Sequence, residues 1–346
     1  MGEFDLIRQF FTWPTPRAVV GVGDDCALLA PSVGSQMAIS TDTLTSGRHF
    51  FADVDPRALG HKALAVNLSD LAACGARPSA FVLALTLPEV NTAWLEAFAK
   101  GLFDLAQTHG CELVGGDTTR GPLSITITVF GEVPKQPTEG VSHGIPTGAL
   151  LRSGAHLGDD IYVSGSLGDA ALALRALQGK ITLPESVSAA ARKRLEWPQP
   201  RVALGLALQK VASACADVSD GLRGDLGHIL ERSQVGAALH WDALVALLAT
   251  RNTYPGGALA FDASFSSDFA AQCVLGGGDD YELVFTAAQT KRSAVTHAAK
   301  QSATPVTRIG TVVSGHGIAL LNANGNALLP PLDAGDFAAF DHFSPG

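Results

Sequence analysis

The sequence predicts a mixed α/β protein built from two domains, on three observations. Its 346 residues exceed what one hydrophobic core normally supports. Strand and helix patterns interleave along both halves, with no short-period repeat. Between Pro134 and Ala149 the composition turns to Pro, Gly, Thr and His, which interrupts that pattern. The boundary is placed at residue 149, giving domains 1–149 and 150–346.

In the first half, Gln36 to Thr41 reads as a short strand running into Asp42. Pro56 to Cys74 reads as a helix, with Asp55 as N-cap, Pro56 at the first position and Gly75 as the stop. Ser79 to Leu87 is a nearly continuous apolar strand, which implies cover on both faces. A helix from an Asn91 cap to Gly110 is followed by a strand from Cys111 to Val114, which delivers a glycine loop at GGDTTRG. Leu123 to Val133 alternates apolar and polar residues as a half-buried strand does.

The second half restarts with a strand at Asp160 to Ser164 and a helix from Gly168 to Gln178. Helices follow over Pro184 to Glu196 and Arg201 to Ala212, then a strand into Asp217 and a helix through Leu222 to Glu231. GGGDDYELVF reads as a glycine turn entering a strand, and Thr304 to Val313 with Gly317 to Leu321 as a closing hairpin.

Composition narrows the functional classes. At 47% hydrophobic and 16% charged residues the chain is that of a folded globular protein. Its net charge of −9 and lack of a basic run argue against nucleic acid as a partner. The five cysteines are scattered and never spaced as CxxC, so buried free thiols in a reducing cytoplasm are expected rather than disulfides or zinc. The start, MGEFDLIRQFF, has neither a cleavage site nor a myristoylation signal, and no apolar stretch reaches membrane-spanning length. A soluble protein is expected.

Aspartates recur at the ends of apolar runs, in GVGDD, STDT, NLSD, GGDTTRG and DVSDG. Short carboxylates from several elements suit magnesium, which keeps waters and substrate phosphate oxygens as its other ligands. Asp25, Asp42, Asp70, Asp117, Asp217 and Asp220 fit that description. Aspartate also caps turns, so no single one is diagnostic. Asp70 stands out because it falls in the last turn of its helix, where the dipole disfavours an anion, with Asn67 one turn earlier to orient it. Asp24 and Asp25 repel each other, so positive charge is expected beside one of them. Gly115, Gly116 and Gly121 could aim backbone N–H groups at phosphate. Neither GxxxxGK[ST] nor GxGxxG occurs, so a nucleotide would be gripped through metal rather than by a Walker or dinucleotide turn. His49 could meet an anionic substrate or simply pack beside Phe50 and Phe51. Asp279 and Asp280 could meet a cationic ligand or cap a turn, and Phe340 could stack on a ring or dock the tail.

Taken in order, GVGDDCALL, ISTDTLTSGRHF, KALAVNLSDLAACGA, GGDTTRGPLSIT, DVSDGLRGDLGHI, GGGDDYELVFT and the closing FDHF resemble the thiamine-monophosphate kinase family. The resemblance runs from residue 3 to about residue 343. It implies the aminoimidazole ribonucleotide synthetase-like fold, with the N-terminal sheets of two subunits packed together in a homodimer. It implies transfer of the γ-phosphoryl of ATP to thiamine monophosphate, assisted by several Mg²⁺ ions. By position, Asp25, Ser40, Thr41, Asp42, Asp70, Asp117, Asp217 and Asp220 match magnesium sites. Gly116, Asp117, Arg152 and Ser219 match the ATP site, and His49, Asp279 and Phe340 match substrate contacts. Asp279 stands where Glu is usual, and Phe340 where Tyr or Trp often sits. Competing readings are another ATP-using member of the superfamily, a non-catalytic nucleotide and metal sensor, or a magnesium phosphatase.

Overall fold

The computed structural model describes residues 2–135, 148–249 and 267–328. The chain divides into two compact units, Met1–Ala149 and Leu150–Gly346.

The first unit opens with helix α1 (Glu3–Phe10). It then lays down strands β1 (Ser35–Thr45), β2 (Arg77–Leu87), β3 (Glu112–Arg120) and β4 (Ser124–Pro134), with helices α2 (Pro56–Ala73) and α3 (Thr92–His109) between them. Both long helices start on side-chain caps. The Asp55 carboxylate accepts from the N–H groups of Arg57 (2.7 Å) and Ala58 (3.1 Å), and the Asn91 amide oxygen accepts from Trp94 N–H (3.1 Å). α3 stops at Gly110 in the left-handed conformation, φ +58°. Gly60 and Gly101 let the two helices touch backbone to backbone, since a Cβ on either would run into the carbonyl of Phe98 or Arg57.

The four strands form one sheet in the order β1-β4-β2-β3. Its inner face, with Phe81, Leu83, Leu85, Ile125, Ile127 and Val129 buried, packs under α2 and α3. The other face is less covered than a continuous apolar strand suggests. Ala84 is exposed, Val82 and Thr86 are half-buried, and Ile39 on β1 is 62% exposed. Thr41 and Thr43 pair there with Thr128 and Thr126 through their hydroxyls, each at 2.9 Å.

The second unit carries six strands, β5 (Asp160–Ser164), β6 (Ala214–Val218), β7 (Gly236–His240), β8 (Glu282–Ala287), β9 (Val306–Val313) and β10 (Ile318–Leu321). They run in the order β10-β7-β9-β5-β8-β6, antiparallel except for the parallel β10/β7 pair. Helices α4 (Asp169–Leu177), α5 (Glu185–Glu196), α6 (Val202–Leu208), α7 (Leu222–Ser233), α8 (Trp241–Ala246), α9 (Ser267–Gly276) and α10 (Arg292–Gln301) surround it. Leu222, Leu226 and Ile229 of α7 enter the main core with Val163, Val218, Val284 and Ile309. A smaller core joins α4 to α5 through Leu172, Ala173, Val187 and Leu195.

Three sequence expectations are corrected. β9 and β10 are not a hairpin, because β7 lies between them and pairs with both. The helix at Arg201 is short, ending at Leu208 before Lys210 adopts a left-handed φ of +62°. The thiols are also not uniformly buried. Cys111, Cys215 and Cys273 are, but Cys74 is half-buried and Cys26 exposed. Burial pushes the Cys111 and Cys273 thiols up to about 12, which leaves them protonated and inert. No helix among the described residues is long and apolar enough to cross a membrane.

Candidate active site

In the first unit, strand alternation decides which side chains meet the helices. With Leu44 buried, Ser40 and Asp42 point to the same face of β1 and lie against α2. The Ser40 hydroxyl donates to the Asp70 carboxylate, and the Asp42 N–H donates to the Asn67 amide oxygen (3.1 Å). Asn67 is itself held by donating to the Ala63 carbonyl one turn back (3.0 Å). Asn67 therefore fixes the backbone at Asp42 rather than orienting Asp70. Ser40, Asp42 and Asp70 present oxygen alone, the donor type a hard divalent ion takes. Asp70, half-buried in the last turn of α2, opposes that helix's negative end and so favours a cation beside it. The set fits magnesium. Thr41 points the opposite way, to its partner Thr128.

Asp42 is inside β1 rather than at a strand end, because β4 pairs with β1 from Ser35 as far as Thr45. GGDTTR is likewise strand and not loop, since β2 runs parallel to it as far as the Leu87/Arg120 pair. β3 is the sheet edge, so alternate backbone groups face away from β2. Gly116 has φ +152°, and a Cβ there would strike the Leu83 carbonyl. Asp117 is exposed beside it. Asp24 and Asp25 are both exposed, and among the described residues neither has an ion pair. Water screens their repulsion, and the Asp25 N–H donates to Asp24 (2.8 Å). His49 is half-buried, and its Nδ1 accepts from the Thr45 N–H (3.0 Å), which places the proton of the neutral ring on Nε2.

In the second unit, the turn from β6 into α7 gathers Asp217, Ser219, Asp220 and Asp225. Asp217 is buried at the end of β6. The Asp225 carboxylate accepts from the N–H groups of Ser219 (3.0 Å) and Asp220 (3.1 Å). Burial, then the charge of Asp220, push Asp225 up to about 7, against those N–H groups and the charge of Arg152. Asp279 and Tyr281 dock on the same turn, donating their N–H groups to the carbonyls of Ser219 and Val218, both at 2.8 Å. Sequence reasoning passed over Asp225, although its spacing from Leu222 and Leu226 puts it on the buried face of α7. It also passed over Glu282, which is fully interior. Asp280, which reads as meeting a cationic ligand or capping a turn, is buried as well. Phe340 lies outside the described residues. Among the described residues no three His, Cys, Asp or Glu side chains gather as a metal site by themselves.

A pH dependence follows from Asp225. Its folded-state pKa lies above its unfolded one, so its stabilisation is complete below about pH 4 and is lost as pH rises through about 7. Asp280, raised mainly by burial, acts in the same direction. In buffer free of divalent ions, denaturant melts are expected to give lower stability at pH 8 than at pH 5.5, and Asp225→Asn is expected to shrink that difference.

Residues 23–133 match the N-terminal domain of AIR synthase related protein, and residues 157–321 match its C-terminal domain. The fold is thus that of the AIR synthase related class. The chain is 45% identical to the thiamine-monophosphate kinase of Salmonella typhimurium over 89% of its own length and 90% of that protein's. The solved thiamine-monophosphate kinase of Stenotrophomonas maltophilia is 44% identical, with a TM-score of 0.76 over 90% of this chain and 92% of that one. AaThiL, solved with AMPPCP and TMP, is 27% identical, with a TM-score of 0.70 over 91% and 89%. The chain belongs to the thiamine-monophosphate kinase family.

Proposed function

We propose that the protein transfers the γ-phosphoryl group of ATP to the phosphate of thiamine monophosphate, giving thiamine diphosphate and ADP. The observation that carries this is likeness to a thiamine-monophosphate kinase at 45% identity along nine-tenths of both chains. AaThiL, alike over 91% of this chain, was solved with an ATP analogue and TMP.

Magnesium would be held by Ser40, Asp42 and Asp70 in the first unit, with Asp25 and Asp117, and by Asp217 and Asp220 in the second. When bound, it neutralises phosphate charge that otherwise keeps donor and acceptor apart. Gly116, Asp117, Arg152 and Ser219 bind ATP. The glycine at 116 keeps the strand edge low enough for phosphate to approach, and Arg152 supplies a fixed positive charge. His49, through its Nε2–H, along with Asp279 and Phe340, contacts the thiamine phosphate. The acceptor oxygen is already ionised near neutral pH, its second pKa being about 6, so no side chain need remove a proton. Transfer is direct and in line, with no phosphorylated residue. The open sheet face around Ile39, Val82 and Ala84 packs against a second copy, making a homodimer that works in the cytoplasm.

A coupled assay for ADP release tests the activity. ADP is expected to form one for one with thiamine diphosphate and only when thiamine monophosphate is present. Release of inorganic phosphate from thiamine monophosphate without ATP, or no turnover at all, would overturn the assignment.

A further inference from the structure

The backbone across Asp279, Asp280 and Tyr281 is unusual. Asp279 and Tyr281 are both left-handed, φ +67° and +51°, while Asp280 between them is fully buried and accepts from the Gly168 N–H (2.8 Å). A left-handed aromatic residue is a strained choice, since Gly or Asn meets the same backbone more easily. Such outliers persist where the surroundings over-determine them and tend to mark functional segments. Here the clamps are the N–H bonds from Asp279 to the Ser219 carbonyl and from Tyr281 to the Val218 carbonyl. Gly278 completes the fit, because a Cβ there would press on the Ser219 carbonyl at 2.5 Å. What the tyrosine adds that Gly or Asn would not is its hydroxyl, which donates to Asp279 Oδ1 at 3.1 Å.

We propose that Tyr281 is a positioning residue, whose hydroxyl sets the direction of the Asp279 carboxylate toward a hydrogen-bond-donating ring of the phosphate acceptor. This rests on the reading of Asp279 as a substrate contact. The clamp to Ser219 ties that contact to one residue of the ATP site, so the acceptor group and that nucleotide group share one backbone turn. Tyr281 itself touches neither reacting phosphate.

Steady-state kinetics on Tyr281→Phe, Asp279→Asn and the double variant test this. Tyr281→Phe is expected to raise KM for thiamine monophosphate about tenfold, the scale of one charge-assisted hydrogen bond, with KM for ATP unchanged. In the Asp279→Asn background the same change is expected to do nothing further. If Asp279→Asn raises KM for thiamine monophosphate but Tyr281→Phe does not, the positioning role fails and the substrate contact stands. If Asp279→Asn leaves that KM unchanged, the substrate contact fails and the proposal with it. Tyr281→Asn, which suits the left-handed backbone, is the second variant should Tyr281→Phe fold poorly. It is expected to show the same selective rise, and equal rises for both substrates would overturn the proposal.

Discussion

Asp42→Asn is expected to cut the rate of phosphoryl transfer about a thousandfold while leaving the fold intact, the scale seen when one preorganised charge-stabilising contact is removed. The substitution keeps size and shape and removes one negative oxygen. The backbone bond from Asp42 to Asn67 does not involve that carboxylate, so β1 keeps its register on α2. The melting temperature is expected to stay near that of the parent. Ser40 and Asp70 still meet, but the oxygen set on this face loses one of its two charges, and a divalent ion binds more weakly. Part of the activity is therefore expected to return as magnesium is raised, visible as a rightward shift in a magnesium titration. Full activity at limiting magnesium would remove Asp42 from the metal set.

The largest effect on stability is expected at Glu282. This carboxylate is wholly buried and receives Arg194 Nη2 at 2.7 Å, Arg201 Nε at 2.6 Å and the Ser164 hydroxyl at 2.6 Å. The two arginine side chains are only 21% and 18% exposed, so they draw little on water. Glu282→Gln keeps the shape and an oxygen for Ser164, but it leaves two guanidinium charges without their anion. Breaking a buried ion pair on one side costs about 3–5 kcal/mol, because the remaining charge stays desolvated. For a unit of this size that corresponds to a fall of roughly 10 °C in melting temperature, measurable by calorimetry. Glu282→Asp is expected to be little better, since its shorter arm cannot reach all three partners. An unchanged melting temperature for Glu282→Gln would mean that the network contributes nothing net.

The parts of the fold legible in the sequence were those set by neighbours along the chain. Asp55 before Pro56 and Asn91 before Thr92 announce their helices because a cap is a contact over two or three residues. β5 and β8 are legible as short apolar runs after turns. What escaped depends on distant partners. Gly115 to Arg120 has the composition of a loop and becomes a strand only because β2 lies alongside it. β10 looked like the second arm of a hairpin, but β7, more than seventy residues earlier, takes that place. At the candidate site, type and position mark the aspartates as candidates and nothing more. The bond from Ser40 to Asp70 spans thirty residues, and no local pattern encodes it. Asp280 reads as a turn residue and Glu282 as part of an ordinary strand, because the backbone group and the arginines that hold them come from other helices and loops.

Rapid-quench kinetics with γ-labelled ATP, magnesium and thiamine monophosphate tests the direct-transfer account most closely. In a single turnover, label is expected to leave ATP and appear in thiamine diphosphate in step, with none on the protein at any time. Label attached to the chain before product forms would contradict direct transfer between the two phosphates.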